Sequence, residues 1–130
     1  MEHLEPQPAY EFLQQHPAAL FIDCRSTMEY FFVGHPAGAV HVAWNDGDDW
    51  EINPHFVAEV KRLAGEASER PLVIICRSGN RSVDAGLALE AAGFARVINV
   101  LRGFEGELDE RHHRNSKNGW RHDGLPWEQS

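Results

Sequence analysis

Cys76 stands at the head of a short polar loop, Cys76-Arg77-Ser78-Gly79-Asn80-Arg81-Ser82, and the apolar run Val73-Ile74-Ile75 delivers it there. A helix-compatible segment, Val83 to Ala92, begins immediately afterwards. A thiol in that position faces the backbone N–H groups of the loop and the positive end of the following helix, and both stabilise an anion. Arg77 and Arg81 add positive charge within the same few residues. Such surroundings favour a nucleophilic thiolate, so Cys76 reads as the working residue of an enzyme that uses covalent catalysis. Gly79 permits backbone angles that a Cβ resists, and Asn80 tolerates left-handed geometry, so both suit a curled loop. Each arginine can hold an anionic donor or leaving group, or can instead point outward or pair with a carboxylate such as Asp84.

The elements that must position this loop alternate along the chain. Ala9, Phe12 and Leu13 mark a short amphipathic helix after Pro8, and Ala19-Leu20-Phe21-Ile22 reads as a buried strand. Ser26-Thr27-Met28-Glu29 has capping-box spacing and predicts a short helix ending near Gly34. Ala39 to Val42 is a second strand candidate. Asn53-Pro54 supplies an N-cap and a first-turn proline for a helix with Phe56, Val57, Val60, Leu63 and Ala64 on one face, ended by Gly65. Leu72 to Ile75 has the continuous apolar pattern of a strand covered on both faces in a parallel sheet. The next helix carries Val83, Leu87, Ala88 and Ala91 and stops at Gly93, and Val97 to Val100 forms another strand. Alternating strands and helices predict a three-layer α/β domain with a mostly parallel central sheet flanked by helices, one domain over residues 1–130. In such sheets ligands sit beyond the carboxyl ends of the strands, where Cys76 and the segment Asp23-Cys24-Arg25 both fall.

Composition narrows the function classes. The chain has 130 residues, 42% hydrophobic and 25% charged, and a net charge of −8. Residues 1–60 hold ten acidic side chains and only Arg25 on the basic side, whereas residues 61–130 hold ten acidic and eleven basic. Nucleic acid is excluded as a partner for the acidic half, and the charge near Cys76 suits a small anion. No segment reaches membrane-spanning length, and two cysteines make no disulfide framework, so a cytoplasmic location is expected.

The residues also carry a resemblance. Phe21-Ile22-Asp23-Cys24-Arg25-Ser26 with Glu29, Gly34-His35-Pro36-Ala37-Gly38-Ala39, Val73 to Ser82, and Leu101 to Gly106 with Gly124-Leu125-Pro126 resemble, in order, four motifs of the rhodanese-like sulfurtransferases. The resemblance implies that Cys76 takes the outer sulfur of a donor such as thiosulfate, releases sulfite, and passes the sulfur from a persulfide to cyanide or a thiol. The loop amides and side chains from Arg77 through Ser78, Gly79, Asn80 and Arg81 to Ser82 would bind the sulfur or its donor. Asp23 and Arg25 would support the loop edges by hydrogen bonds and an ion pair with Glu29. No cofactor is required. Two departures stand out: a proline one residue early in the second motif, and Arg102 where a glycine is usual, followed by a polar insertion, Glu107 to Asn118, expected at the site's rim.

Alternatives of three kinds accompany this reading. Cysteine phosphatases and arsenate reductases use a similar Cys-to-Arg loop one residue longer, better sized for a phosphate than for one sulfur. A sulfur-relay or binding module serving a protein acceptor would need the same persulfide. Cys24 reads first as a packing residue, and secondly as a thiol that forms a disulfide with Cys76 or accepts its sulfur. His35 and His41 read as structural. His112, His113 and His122 lack a cysteine partner at zinc-like spacing, so no metal is assigned. Trp44 and Trp50 flank the acidic turn 45–49, and either could wall a pocket or pack.

Overall fold

The computed structural model describes residues 1–65 and 69–129. Five strands form one parallel sheet: β1 (Glu2–Leu4), β2 (Leu20–Asp23), β4 (Val40–His41), β7 (Leu72–Ile75) and β8 (Val97–Val100), in the order β1-β8-β7-β2-β4. The short pairs β3 (His35–Pro36) with β9 (Trp127–Glu128) and β5 (Asn45–Asp46) with β6 (Glu51–Ile52) lie outside it. Central strands β2 and β7 are buried at every position, so their side chains divide by alternation between two cores. Leu20, Ile22, Leu72 and Ile74 pack with Val60 and Ala64 of α2 (Phe56–Ala64) and with Ala85 and Leu89 of α3 (Arg81–Ala91). Phe21, Val73, Ile75 and Ile98 pack with Ala9 and Phe12 of α1 (Pro6–Gln15) on the opposite face. The three-layer α/β architecture is therefore as the sequence predicts.

Local differences have physical reasons. α1 starts at Pro6, two residues before Pro8, because a proline in the first turn costs no hydrogen bond. Ser26 and Glu29 do form a capping box, Ser26 N–H donating to Glu29 Oε1 at 3.2 Å and Glu29 N–H to Ser26 Oγ at 3.3 Å. The turn that follows, Glu29–Val33, is wound as a π-helix, and Gly34 N–H donates to Glu29 O at 3.3 Å to close it. Asn53 Oδ1 accepts from His55 N–H at 2.9 Å, capping a tight turn ahead of α2. Leu63, expected on the buried face of α2, is 42% exposed.

α3 is rotated relative to the sequence reading. Ser82, Ala85, Gly86 and Leu89 face the sheet, whereas Leu87 is 53% exposed. Small residues decide this: a Cβ on Gly86 would meet Met1 Sδ at 2.7 Å and Val97 Cγ1 at 3.3 Å, so only this face lies close to the sheet. Among the described residues no helix is long and apolar enough to cross a membrane.

Candidate active site

Strand β7 ends at Ile75 and the chain turns into the Cys76 loop before α3 begins at Arg81. Gly79, at φ +102, supplies the one left-handed residue in this loop; Asn80 has φ −89 and ψ −51, so the expectation of a left-handed Asn80 is corrected. A Cβ on Gly79 would also press against Arg102 N at 3.3 Å. With that turn made, Gly79 N–H donates to Cys76 Sγ at 3.1 Å. Ser82 lies below the loop with its Oγ 3.2 Å from the same sulfur, and its hydroxyl also reaches Asn99 Oδ1. Asn99 Nδ2 in turn lies 3.2 Å from His3 Nδ1. Cys76 is 1% exposed at the floor of a cleft of about 500 Å³.

Ser26, Glu29, Val33, Trp50, Arg77, Ser78, Asn80, Arg81, Glu105 and Arg114 complete the cleft wall. The site residues expected from sequence thus divide into three groups. Cys76, Arg77, Ser78, Asn80 and Arg81 line the cleft, and Gly79 and Ser82 reach the sulfur by hydrogen bond. Asp23 and Arg25 do not line it. They form a fully buried pair, with Arg25 Nε and Nη2 donating to Asp23 at 2.9 and 2.6 Å and Nη2 donating to Gly34 O at 2.5 Å. The expected ion pair between Arg25 and Glu29 is absent because Asp23 is nearer on the same strand exit.

Glu29 instead holds Arg81 through two bonds of 2.8 Å, a fork-to-carboxylate pair. Asp84, the carboxylate considered from sequence, is not its partner. Trp50, at φ +55, sets its ring 5.3 Å from the Arg81 guanidinium. Arg81 is thereby fixed as part of the wall, whereas exposed Arg77 has no ion-pair partner among the described residues. Burial pushes the Glu29 carboxyl up, but the hydrogen bonds and charge of Arg81, aided by Ser26, outweigh it and bring it down to about 2. Because the folded value lies below the usual 4.5, the pair's stabilisation is complete above pH 4.5 and fades as pH falls toward about 2. Urea unfolding across that window should show a loss of about 2 kcal/mol that Glu29→Gln abolishes.

Sequence reasoning missed Asn99 and Arg114. Asn99 carried a signal, being the one polar residue in the buried strand Val97–Val100. Arg114 carried none: it comes from the insertion, and its Nη1 donates to Gly106 O at 2.7 Å. The insertion is organised by Asp109, whose side chain accepts from Arg111 N–H at 2.8 Å and His113 N–H at 2.9 Å and from the Ser116 hydroxyl. Hydrogen bonds led by that of Ser116 lower the Asp109 carboxyl to about 2. His112 and His113 are exposed members of this loop, and His122 lies beside Asp123 at 3.3 Å. Trp44 packs edge-on against Phe56 in the core, 5.2 Å between centroids. His35 stacks on Tyr30, and His41 Nε2 donates to Arg25 O at 2.7 Å. Arg102 takes φ +68, the backbone geometry for which a glycine is the natural choice.

The parallel sheet thus presents Cys76 at the exit of β7, with the Gly79 amide on its sulfur and α3 starting five residues further on. The chain belongs to the rhodanese-like domain family, whose model matches residues 5–109. It is similar to the crystal structure of Rv0390 from M. tuberculosis, with 37% identity, a TM-score of 0.88, and coverage of 100% of this chain and 98% of that one. Thiosulfate sulfurtransferase 16, chloroplastic, of Arabidopsis thaliana is 31% identical over 108 residues, 82% of this chain and 77% of that protein. Thiosulfate sulfurtransferase GlpE of Actinobacillus pleuropneumoniae is 29% identical over 125 residues, 96% and 91% of the two chains. The family is thus one of sulfurtransferases.

Proposed function

We propose that the chain is a single-domain sulfurtransferase that carries sulfur as a persulfide on Cys76, from a donor such as thiosulfate to a small thiophilic acceptor, cyanide or a thiol. The observation that carries this reading is the Gly79 N–H at 3.1 Å from Cys76 Sγ on the floor of an arginine-lined cleft. The thiolate attacks the outer sulfur of thiosulfate, a new S–S bond forms, and sulfite departs with the electrons of the broken bond. Arg77, exposed and unpaired among the described residues, draws in the dianion, with Arg114 across the cleft. The preorganised Gly79 amide donor suits the negative charge that stays on sulfur. An acceptor then takes the outer sulfur, so the two half-reactions follow ping-pong kinetics. The cytoplasm, where thiols stay reduced, suits a protein with two free cysteines.

Mass spectrometry of thiosulfate-treated protein tests the reading. Gain of one sulfur atom at Cys76, absent in Cys76→Ser, is expected, with turnover of that variant reduced at least about a thousandfold. Hydrolysis of an aryl phosphate without sulfur loading would overturn it in favour of a phosphatase.

A further inference from the structure

The register of the two central strands brings the only two cysteines side by side. Asp23 of β2 pairs with Ile75 of β7, and Cys24 N–H donates to Ile75 O at 2.9 Å. The next position outward on each strand is therefore a cysteine. Alternation places both on the face that carries Leu20, Ile22, Leu72 and Ile74, and both belong to the core packed against α2 and α3. Neighbouring strands lie about 4.8 Å apart. That spacing falls inside the Cα separation of about 4.4–6.8 Å that a disulfide spans. Cys24 is wholly buried, whereas Cys76 also opens onto the cleft that Cys24 does not line.

We infer that Cys24 is a resolving thiol, which attacks the inner sulfur of a Cys76 persulfide, closes a Cys24–Cys76 disulfide and expels hydrosulfide into the cleft. This rests on the persulfide reading above. The balance is complete: the Cys24–Cys76 S–S bond forms, the bond from Cys76 Sγ to the outer sulfur breaks, and the outer sulfur leaves with that electron pair. The Cys24 thiol proton leaves on it as hydrosulfide. No outside oxidant is needed, because the outer sulfur is the group reduced. Cys76 opens onto the cleft and Cys24 does not, so the leaving sulfur departs into the cleft. Burial, with Cys76 and Asp23 beside it, pushes the Cys24 thiol well above its usual range against the pull of Arg81 and Arg25. Cys24 is therefore the thiol that brings the proton the departing sulfur takes. Two equivalents of a low-molecular-weight thiol then reduce the disulfide, and the cycle converts thiosulfate to sulfite and sulfide.

The test treats reduced protein with thiosulfate in the absence of added thiol. Sulfite and sulfide are assayed, and the peptides are mapped by mass spectrometry after alkylation. Native protein should release one sulfide per chain and yield a Cys24–Cys76 cross-linked peptide. Cys24→Ala and Cys24→Ser should release sulfite, retain the extra sulfur on Cys76 and release sulfide only at background. Sulfite release by these variants reports the persulfide step by itself. Its absence overturns the persulfide reading, and the inference with it. Sulfite without sulfide or cross-link from native protein overturns the inference alone, as does a map that finds the transferred sulfur on Cys24.

Discussion

Gly103→Ala is expected to lower stability by about 3 kcal/mol or more and to remove most activity, although residue 103 lies outside the cleft wall. Gly103 has φ +61, and a Cβ there would sit 2.5 Å from Cys76 O, 2.6 Å from Arg77 C and 2.7 Å from Arg77 O. All three are backbone atoms, so relief requires moving the main chain that carries the nucleophile. The neighbouring bonds tie both segments together: Phe104 N–H donates to Cys76 O at 2.8 Å, and Glu105 N–H to Arg77 O at 2.9 Å. Gly124→Ala is the control. Gly124 has φ +77 but nothing within 4 Å of an added Cβ, so only the conformational cost of about 1 kcal/mol applies. Urea midpoints of both variants separate the clash from the backbone preference. A Gly103 variant as stable as the Gly124 variant would show that the two segments are not in contact.

Arg25→Met is expected to cost about 3–5 kcal/mol, because it strands the Asp23 carboxylate at 0% exposure. The guanidinium does more than neutralise charge. It bonds Asp23 along one edge, donates to Gly34 O where the π-turn ends, and lies 4.5 Å over the Phe104 ring. Its Nη1 has no hydrogen-bond partner among the described residues. Arg25→Lys should recover little, since an ammonium is a point charge without the planar fork. Combining Arg25→Met with Asp23→Asn should restore much of the loss, because the uncompensated charge is gone. Equal destabilisation of the single and double variants, read from urea unfolding, would place the cost in packing over Phe104 instead.

These two sites show what the sequence disclosed and what it hid. Strands β2, β7 and β8 were legible because a strand covered on both faces reads as a near-continuous apolar run, broken here only by Asp23 and Asn99. The Cys76 loop was legible because polar residues and a glycine interrupt that run abruptly. Strand β1 was not: Glu2-His3-Leu4 is short and largely exposed, and its pairing depends on a partner far along the chain. The face of α3 was misread because Leu87 and Val83 suggest burial by type, while steric room at Ala85 and Gly86 decided the contact. At the site, spacing located the thiol, the loop and both arginines. It could not say that Arg81 would be held by Glu29, since the two stand 52 residues apart. Nor could it assign Arg114, whose place follows from a turn organised by one aspartate.

The edge strand has a consequence for how the molecule is made. Glu2, His3 and Leu4 align with Ile98, Asn99 and Val100, so their ladder forms only after most of the chain has been synthesised. Closing so long a loop delays the contact relative to local ones. During that interval the backbone groups of Val97–Val100 on that side have no strand beside them, and an open apolar edge is a template for pairing with another chain. The segment that latches the sheet in the native protein is made first but docks late, and that delay leaves the nascent chain open to aggregation.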